Sequence, residues 1–171
     1  IALSRFFYDV IVDVQIFVPG LSDSPAMWKY LETFPEWIAI ASKAGSTVLK
    51  EGVANPVVAL QRQQLSYVLE CLIPMLEFFF KNYYDDQNVP LSKEAHDLWA
   101  QRVFKRLCAF HGMTLPFLAA EQVELLTKCI VTVHHSCGGD ERVGRIPSTL
   151  SQDTIRRVNH KRRRSSHGGL A

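Results

Sequence analysis

Cys129, His134, His135 and Cys137 form a C-x4-H-H-x-C cluster, two thiols and two imidazoles of the kinds that ligate zinc. Their spacing matches no standard zinc knuckle, and histidines close to the end of an amphipathic helix are favoured there by its negative pole. No metal is therefore expected. Cys71 and Cys108 stand in apolar runs without an activating base beside them in sequence, the setting of inert core thiols. The acid pairs Asp85-Asp86 and Asp140-Glu141 fall in turns, where capping and solvation account for them without general acid/base work. No phosphate-cradling glycine loop, dinucleotide fingerprint, HExxH or GxSxG occurs. The expectation is a chain with no catalytic residue and no cofactor.

The remaining chemistry is ionic and lies at the C-terminal end. Residues 142–171 carry 8 Lys/Arg against 1 Asp/Glu, whereas residues 1–141 carry 11 against 16. The formal net charge of +2 thus divides into a body of −5 and a tail of +7. Arg156, Arg157, Lys161, Arg162, Arg163 and Arg164 make a basic patch that can bind acidic protein surfaces, nuclear-import receptors, RNA or anionic lipid. Ser165 and Ser166 follow it directly, as in a basophilic kinase site. A phosphate on either would add about −1.5 to −2 charges and cancel much of the local field. No aromatic residue interleaves the basic ones, so single-stranded nucleic acid finds no stacking platform. A solvated, flexible linker accounts for the same composition.

The body must be helical to present any of this. In residues 63–81, QQLSYVLECLIPMLEFFFK, the polar positions Gln63, Ser66, Glu70, Glu77 and Lys81 fall on one narrow stripe of a helical wheel, with Pro74 among them. Aliphatic and aromatic side chains occupy the rest of the circumference, so several neighbouring helices must cover it. Pro74 on the wet face reads as a bend in this helix, not as its end.

The same periodicity gives the other elements. Residues 4–18 carry an apolar helical stripe closed by Pro19-Gly20, although Val10–Val18 also has the β-branched, partly alternating pattern of a strand, and Ser24 and Pro25 start a short helix over 26–34. Pro35 begins another over 36–44, broken at Gly45, and the long helix runs from Pro56 toward Tyr84. Ser92 caps a helix over 93–111 whose buried face is Ala95, Trp99, Val103, Phe104, Leu107 and Phe110. A last helix spans 118–136, with the stripe Ala119, Val123, Leu126, Ile130 and Val133, and ends at Gly138-Gly139.

With 171 residues, 47% of them hydrophobic, the chain holds one domain plus a tail: a helical domain over 1–141 and a basic tail over 142–171. The fold class expected is all-α, stacked antiparallel helices forming either a bundle or an α-solenoid segment like HEAT and armadillo arrays. Four widely spaced cysteines without a CxxC pair fit a reducing, intracellular setting, cytoplasmic or nuclear. Charged residues interrupt every apolar run, so no membrane span is expected. The chain starts at Ile1 in the middle of an apolar pattern and reads as part of a larger polypeptide.

Residues 72–82, LIPMLEFFFKN, resemble a pattern in the cytosolic helical domains of intracellular calcium-release channels, the ryanodine and inositol trisphosphate receptors. The similarity continues loosely through Ser92-Lys93-Glu94 and Phe104-Lys105-Arg106-Leu107-Cys108 and fades after about Thr132. That resemblance implies a regulatory and coupling segment without catalysis, and carries over no pore, ligand-binding or calcium-binding residue. The function expected is a non-enzymatic scaffold or regulatory segment working through protein partners or the remainder of its own polypeptide. The alternative is a nuclear-targeted or nucleic-acid-binding module that uses the basic tail.

Overall fold

Ser24 sets the first helix by accepting a hydrogen bond from the Met27 N–H at 3.4 Å, and Pro25 occupies its first turn, where a missing N–H costs nothing. The computed structural model describes residues 19–113, 115–148 and 150. The helix expected over 4–18, the basic patch Arg156–Arg164 and the serines Ser165 and Ser166 lie outside these residues. Within them the chain is all-α, with no strand among the described residues.

Six helices follow in order: α1 (Pro25–Leu31), α2 (Phe34–Glu51), α3 (Ala59–Tyr67), α4 (Ile73–Asn82), α5 (Lys93–Gly112) and α6 (Ala120–Ser136). α2 does not break at Gly45 as its sequence suggests, but runs on to Glu51. A Cβ at Gly45 would lie 2.9 Å from Leu115 Cδ1, so the glycine is there to let the loop after α5 come close. Gly52, at φ 84°, then closes the helix, its N–H donating to Val48 O at 2.9 Å.

The greasy stretch forms one continuous helical rod, α3, a π turn at Val68–Leu72, and α4. The Ile73 N–H reaches back five residues to Val68 O. This wider turn sits directly before Pro74, which has no N–H to offer, and it shifts the ladder where proline would otherwise interrupt it. The rod continues through Pro74, and its wet edge is where the wheel puts it. Gln63, Glu70 and Lys81 are exposed, Ser66, Pro74 and Glu77 half-buried, and Cys71, Leu72, Ile73, Met75, Leu76, Phe79 and Phe80 buried. Each of the larger apolar side chains contributes about 1.5–3 kcal/mol by leaving water.

α2 packs against α3 and α5, while α6 packs against α4 and α5. One apolar core joins them, with Trp28, Phe34, Leu65, Leu76, Leu107 and Ile130 representing the six helices in turn. Ser92 Oγ accepts from the Ala95 N–H at 3.2 Å and starts α5 at the expected residue. The face of α5 differs from the expected one at its start, where Ala95 is exposed and His96 takes the buried place. α6 likewise leaves Ala119 and Val123 outside, its first turn projecting beyond the core, and buries Thr127, Val131 and Thr132 instead. After α6 the chain turns through Gly138, at φ 94°, into a 3-10 turn at Gly139–Glu141. Val143 and Leu150 then join the core, so the tail expected from Arg142 onward begins with packed residues.

Candidate functional site

His96 lies at the end of the first turn of α5 and is 3% exposed, an unusual place for a titratable ring. It is held in an aromatic box. The Trp28 ring meets it edge-on at 5.3 Å, and Tyr84, just beyond α4, stacks on it at 5.7 Å. Trp28 is itself anchored, since its Nε1–H donates to Ser22 O at 2.7 Å and the Ser22 Oγ accepts from the Asp85 N–H at 3.0 Å. Trp99 donates through Nε1–H to Leu31 O at 2.9 Å and packs beside the box. These contacts bind α1, the end of α4 and the start of α5 together around one imidazole.

Both ring nitrogens are engaged. Arg142 Nη2 lies 3.3 Å from His96 Nδ1, and the Tyr84 hydroxyl lies 3.2 Å from Nε2. A guanidinium can only donate, so Nδ1 must accept and the ring proton must sit on Nε2. Nε2–H then donates to Tyr84, whose hydroxyl lies close enough to the Cys137 thiol to lower its proton affinity. On the other side the Arg142 Nε–H donates to Asp97 Oδ1 at 2.8 Å, with Nη2 on the same oxygen. Asp97, Arg142, His96 and Tyr84 are thus joined in one hydrogen-bonded chain in which Arg142 donates both ways, to Asp97 and to His96. Gln101 adds a bond from Nε2 to the Arg142 carbonyl at 2.9 Å.

Burial lowers the proton affinity of His96, Arg142 lowers it further, and Asp97 opposes them. The ring is neutral at neutral pH. Burial also holds the Tyr84 hydroxyl protonated well above its ordinary range, and pushes the Cys137 thiol up to about 12. Asp97 raises the affinity of Arg142 for its proton. A protonated, fully buried thiol is no nucleophile. With the imidazole nitrogens bonded inside the protein, this arrangement positions backbone: it clamps the chain after α6 onto α5 and the end of α4.

The C-x4-H-H-x-C cluster is not assembled into a metal centre. Cys129 and Cys137 are buried, His134 donates or accepts through Nε2 with Asp140 Oδ1 at 2.9 Å, and His135 is exposed. Among the described residues, no three His, Cys, Asp or Glu side chains converge in a way that could hold an ion. The acid pairs serve their turns. Asp85 accepts from the Gln87 N–H at 3.0 Å and from Asn88 Nδ2 at 2.6 Å, and Asp140 holds His134.

All four cysteines are free. Burial raises the Cys108 thiol to about 11 and the Cys129 thiol well above its ordinary value. A thiol reagent at mildly alkaline pH is therefore expected to modify the native protein slowly, at the half-buried Cys108 first, and all four residues at once after denaturation. Rapid modification of Cys71, Cys129 or Cys137 in the native state, read by mass spectrometry, would contradict their burial.

A different surface is exposed at the other end of the body. Leu49 in the last turn of α2, Val53 and Val57 in the connection, and Leu60 in the first turn of α3 all face solvent, Val57 at 81% and Leu60 at 60%. Arg62 Nη1 donates to Val53 O at 2.6 Å and holds this corner closed. No helix among the described residues is long and apolar enough to cross a membrane. Comparison with protein-family models, curated proteins and solved structures gave no match.

Sequence reasoning passed over the His96 chain. Its one local signal is a histidine three residues before Trp99 on the first exposed-looking turn of a capped helix; its partners Tyr84 and Arg142 lie 12 and 46 residues away.

Proposed function

We propose that this chain is a helical scaffold or regulatory segment of a larger intracellular protein, cytoplasmic or nuclear, which acts through protein–protein contact and has no catalytic centre of its own. The observation that carries the reading is the apolar corner of Leu49, Val53, Val57 and Leu60. Large apolar side chains grouped on a surface mark places where another surface is to be covered. The internal saturation of the His96 chain supports it too, because the best-placed acid/base groups are spent on holding backbone. Four free cysteines, three of them buried, support a reducing compartment. A solenoid of HEAT or armadillo type is the narrower architectural form of this proposal, since such units bury an apolar face against the next one. A cytosolic segment of a calcium-release channel is its narrowest functional form, and rests on the resemblance of residues 72–82.

A photo-crosslinking residue placed at Val57 tests the reading. The expected result is a discrete protein adduct in extracts of the source cells, lost when Leu60 is replaced by aspartate and absent when the crosslinker sits at Lys105. A second reading, nucleic-acid binding by the tail, is favoured by the +7 balance of residues 142–171. Nucleic-acid binding whose affinity falls steeply with salt, with no protein adduct at Val57, would replace the scaffold reading by that one.

A further inference from the structure

Residues 138–148 return from α6 across α5 as a strap. Gly138, Gly139 and Gly144 all have positive φ, at 94°, 68° and 100°, and give the strap its turns. At Gly138 a Cβ would collide with the folded-back Arg142 side chain, so the glycine makes room for the arginine that fastens the strap. Val143 and Leu150 add apolar anchorage. The Arg142 side chain and carbonyl are fastened to α5, by Asp97 and His96 at the guanidinium and Gln101 at the carbonyl, while its N–H donates to Gly139 O within the strap.

We propose that His96 is a proton-sensitive latch for this strap: a second proton on its ring expels Arg142 and frees residues 138–148 from α5. The geometry carries the argument. Neutral His96 offers Nδ1 as an acceptor to Arg142, and a protonated ring has no acceptor at all. Its new Nδ1–H can turn only toward Asp97 Oδ1, 3.7 Å away, the oxygen that already holds Arg142 Nε and Nη2. One proton therefore removes one acceptor from Arg142 and competes for the other, while placing a second positive charge beside it. The other groups facing the ring do not reverse this. Tyr84 and Cys137, from the ends of α4 and α6, stay neutral; α1 presents only the uncharged edge of Trp28; and the Asp86 carboxylate acts only at long range. Because the folded state binds this proton less well than the unfolded chain, the clamped form is fully stable above the ordinary histidine range. It is lost as pH falls through about 6.5 and below.

Hydrogen exchange followed by mass spectrometry on the full chain, from about pH 8 to about pH 5 and corrected for intrinsic exchange, tests the latch. Exchange in peptides covering 138–148 is expected to accelerate several-fold as the pH falls, while α2 and α4 stay protected. His96→Gln, which keeps a neutral donor and acceptor, should hold the strap protected across the range. Arg142→Gln should leave it exposed at every pH. An undiminished acid step in either folded variant overturns the proposal. So does acid opening confined to the α5–α6 contact, where the half-buried His111, 3.2 Å from Thr127 Oγ1, also has a lowered proton affinity.

Discussion

Trp28→Ala is expected to lower the free energy of unfolding by about 3–5 kcal/mol, the largest loss from any single truncation in this fold. The indole is 1% exposed and meets four rings edge-on: Phe79 at 6.0 Å, Tyr84 at 6.4 Å, His96 at 5.3 Å and Trp99 at 5.3 Å. Edge-to-face contacts of this kind add about 0.5–1.5 kcal/mol beyond area burial, and alanine forfeits them together. The cavity left behind cannot close easily, because its walls belong to α1, α4 and α5 and each is fixed by other contacts. A second loss comes from the Ser22 carbonyl, which accepts the indole N–H at 2.7 Å in a buried position and would be left without its donor. Trp28→Phe separates the two contributions, since it keeps most of the packing and removes the bond. It should cost about 1–3 kcal/mol. Urea denaturation measures both. A loss under about 1 kcal/mol for the alanine variant would mean that the aromatic box is not the centre of the fold. Since a domain of this kind is stable by only about 5–15 kcal/mol, the alanine variant should lose a large share of its stability.

The contrast between what periodicity reveals and what it hides follows from the range of the forces involved. The starts of α1 and α5 are legible because a capping serine and its first-turn N–H are three residues apart, as at Ser24 with Met27 and Ser92 with Ala95. The buried and wet faces of 63–81 are legible because a helix repeats every 3.6 residues. Gly45 misleads because its local cost in a helix is real, while the reason for it, Leu115, lies 70 positions away and enters only when the chain has folded. The π turn escapes for a similar reason. It compensates for Pro74, and the wheel registers the proline without the rearranged ladder that accommodates it. The site is the least legible part. Ser22 with Asp85, Tyr84 with His96, and Arg142 with Asp97 join positions 63, 12 and 45 residues apart, and no spacing rule links them. The spacing of Asp85-Asp86 shows a turn, and what it hides is that this turn supplies the N–H that fixes Ser22 and hence Trp28. The zinc-like cluster shows the converse: four suitable residues close in sequence are separated by helix geometry, with Cys129 in the core and His135 on the surface.

Leu76→Ala is the second large effect, and it tests the rod itself. Leu76 is 0% exposed in α4, two residues beyond Pro74, on the side of the rod opposite the wet edge. α4 packs against α6 there, so truncation opens a cavity between two long helices whose other contacts oppose collapse. The expected loss is about 2–5 kcal/mol, toward the upper end if the helices stay in place and toward the lower end if they close on the gap. The comparison residue is Gln63, exposed at the near end of the same rod. Gln63→Ala exchanges one good helix former for a better one at a solvent-facing position and should change stability by no more than about 0.5 kcal/mol. Measured in one denaturant series, the pair reads the rotation of the rod: a slip by one residue would bring Ser66 or Glu77 into the core and turn Leu76 toward the edge, and the two effects would converge. The proline also enters this test. If the π turn at Val68–Leu72 exists to carry the ladder past Pro74, then Pro74→Ala removes the need for it, and the rod can return to an ordinary helix only by rotating every side chain on one side of the turn. That rotation would move the buried set from Ile73 to Phe80 out of register with α6. Pro74→Ala is accordingly expected to gain nothing of the roughly 3 kcal/mol by which alanine exceeds proline in a helix interior, because the packing of Leu76 and its neighbours holds the π turn in place.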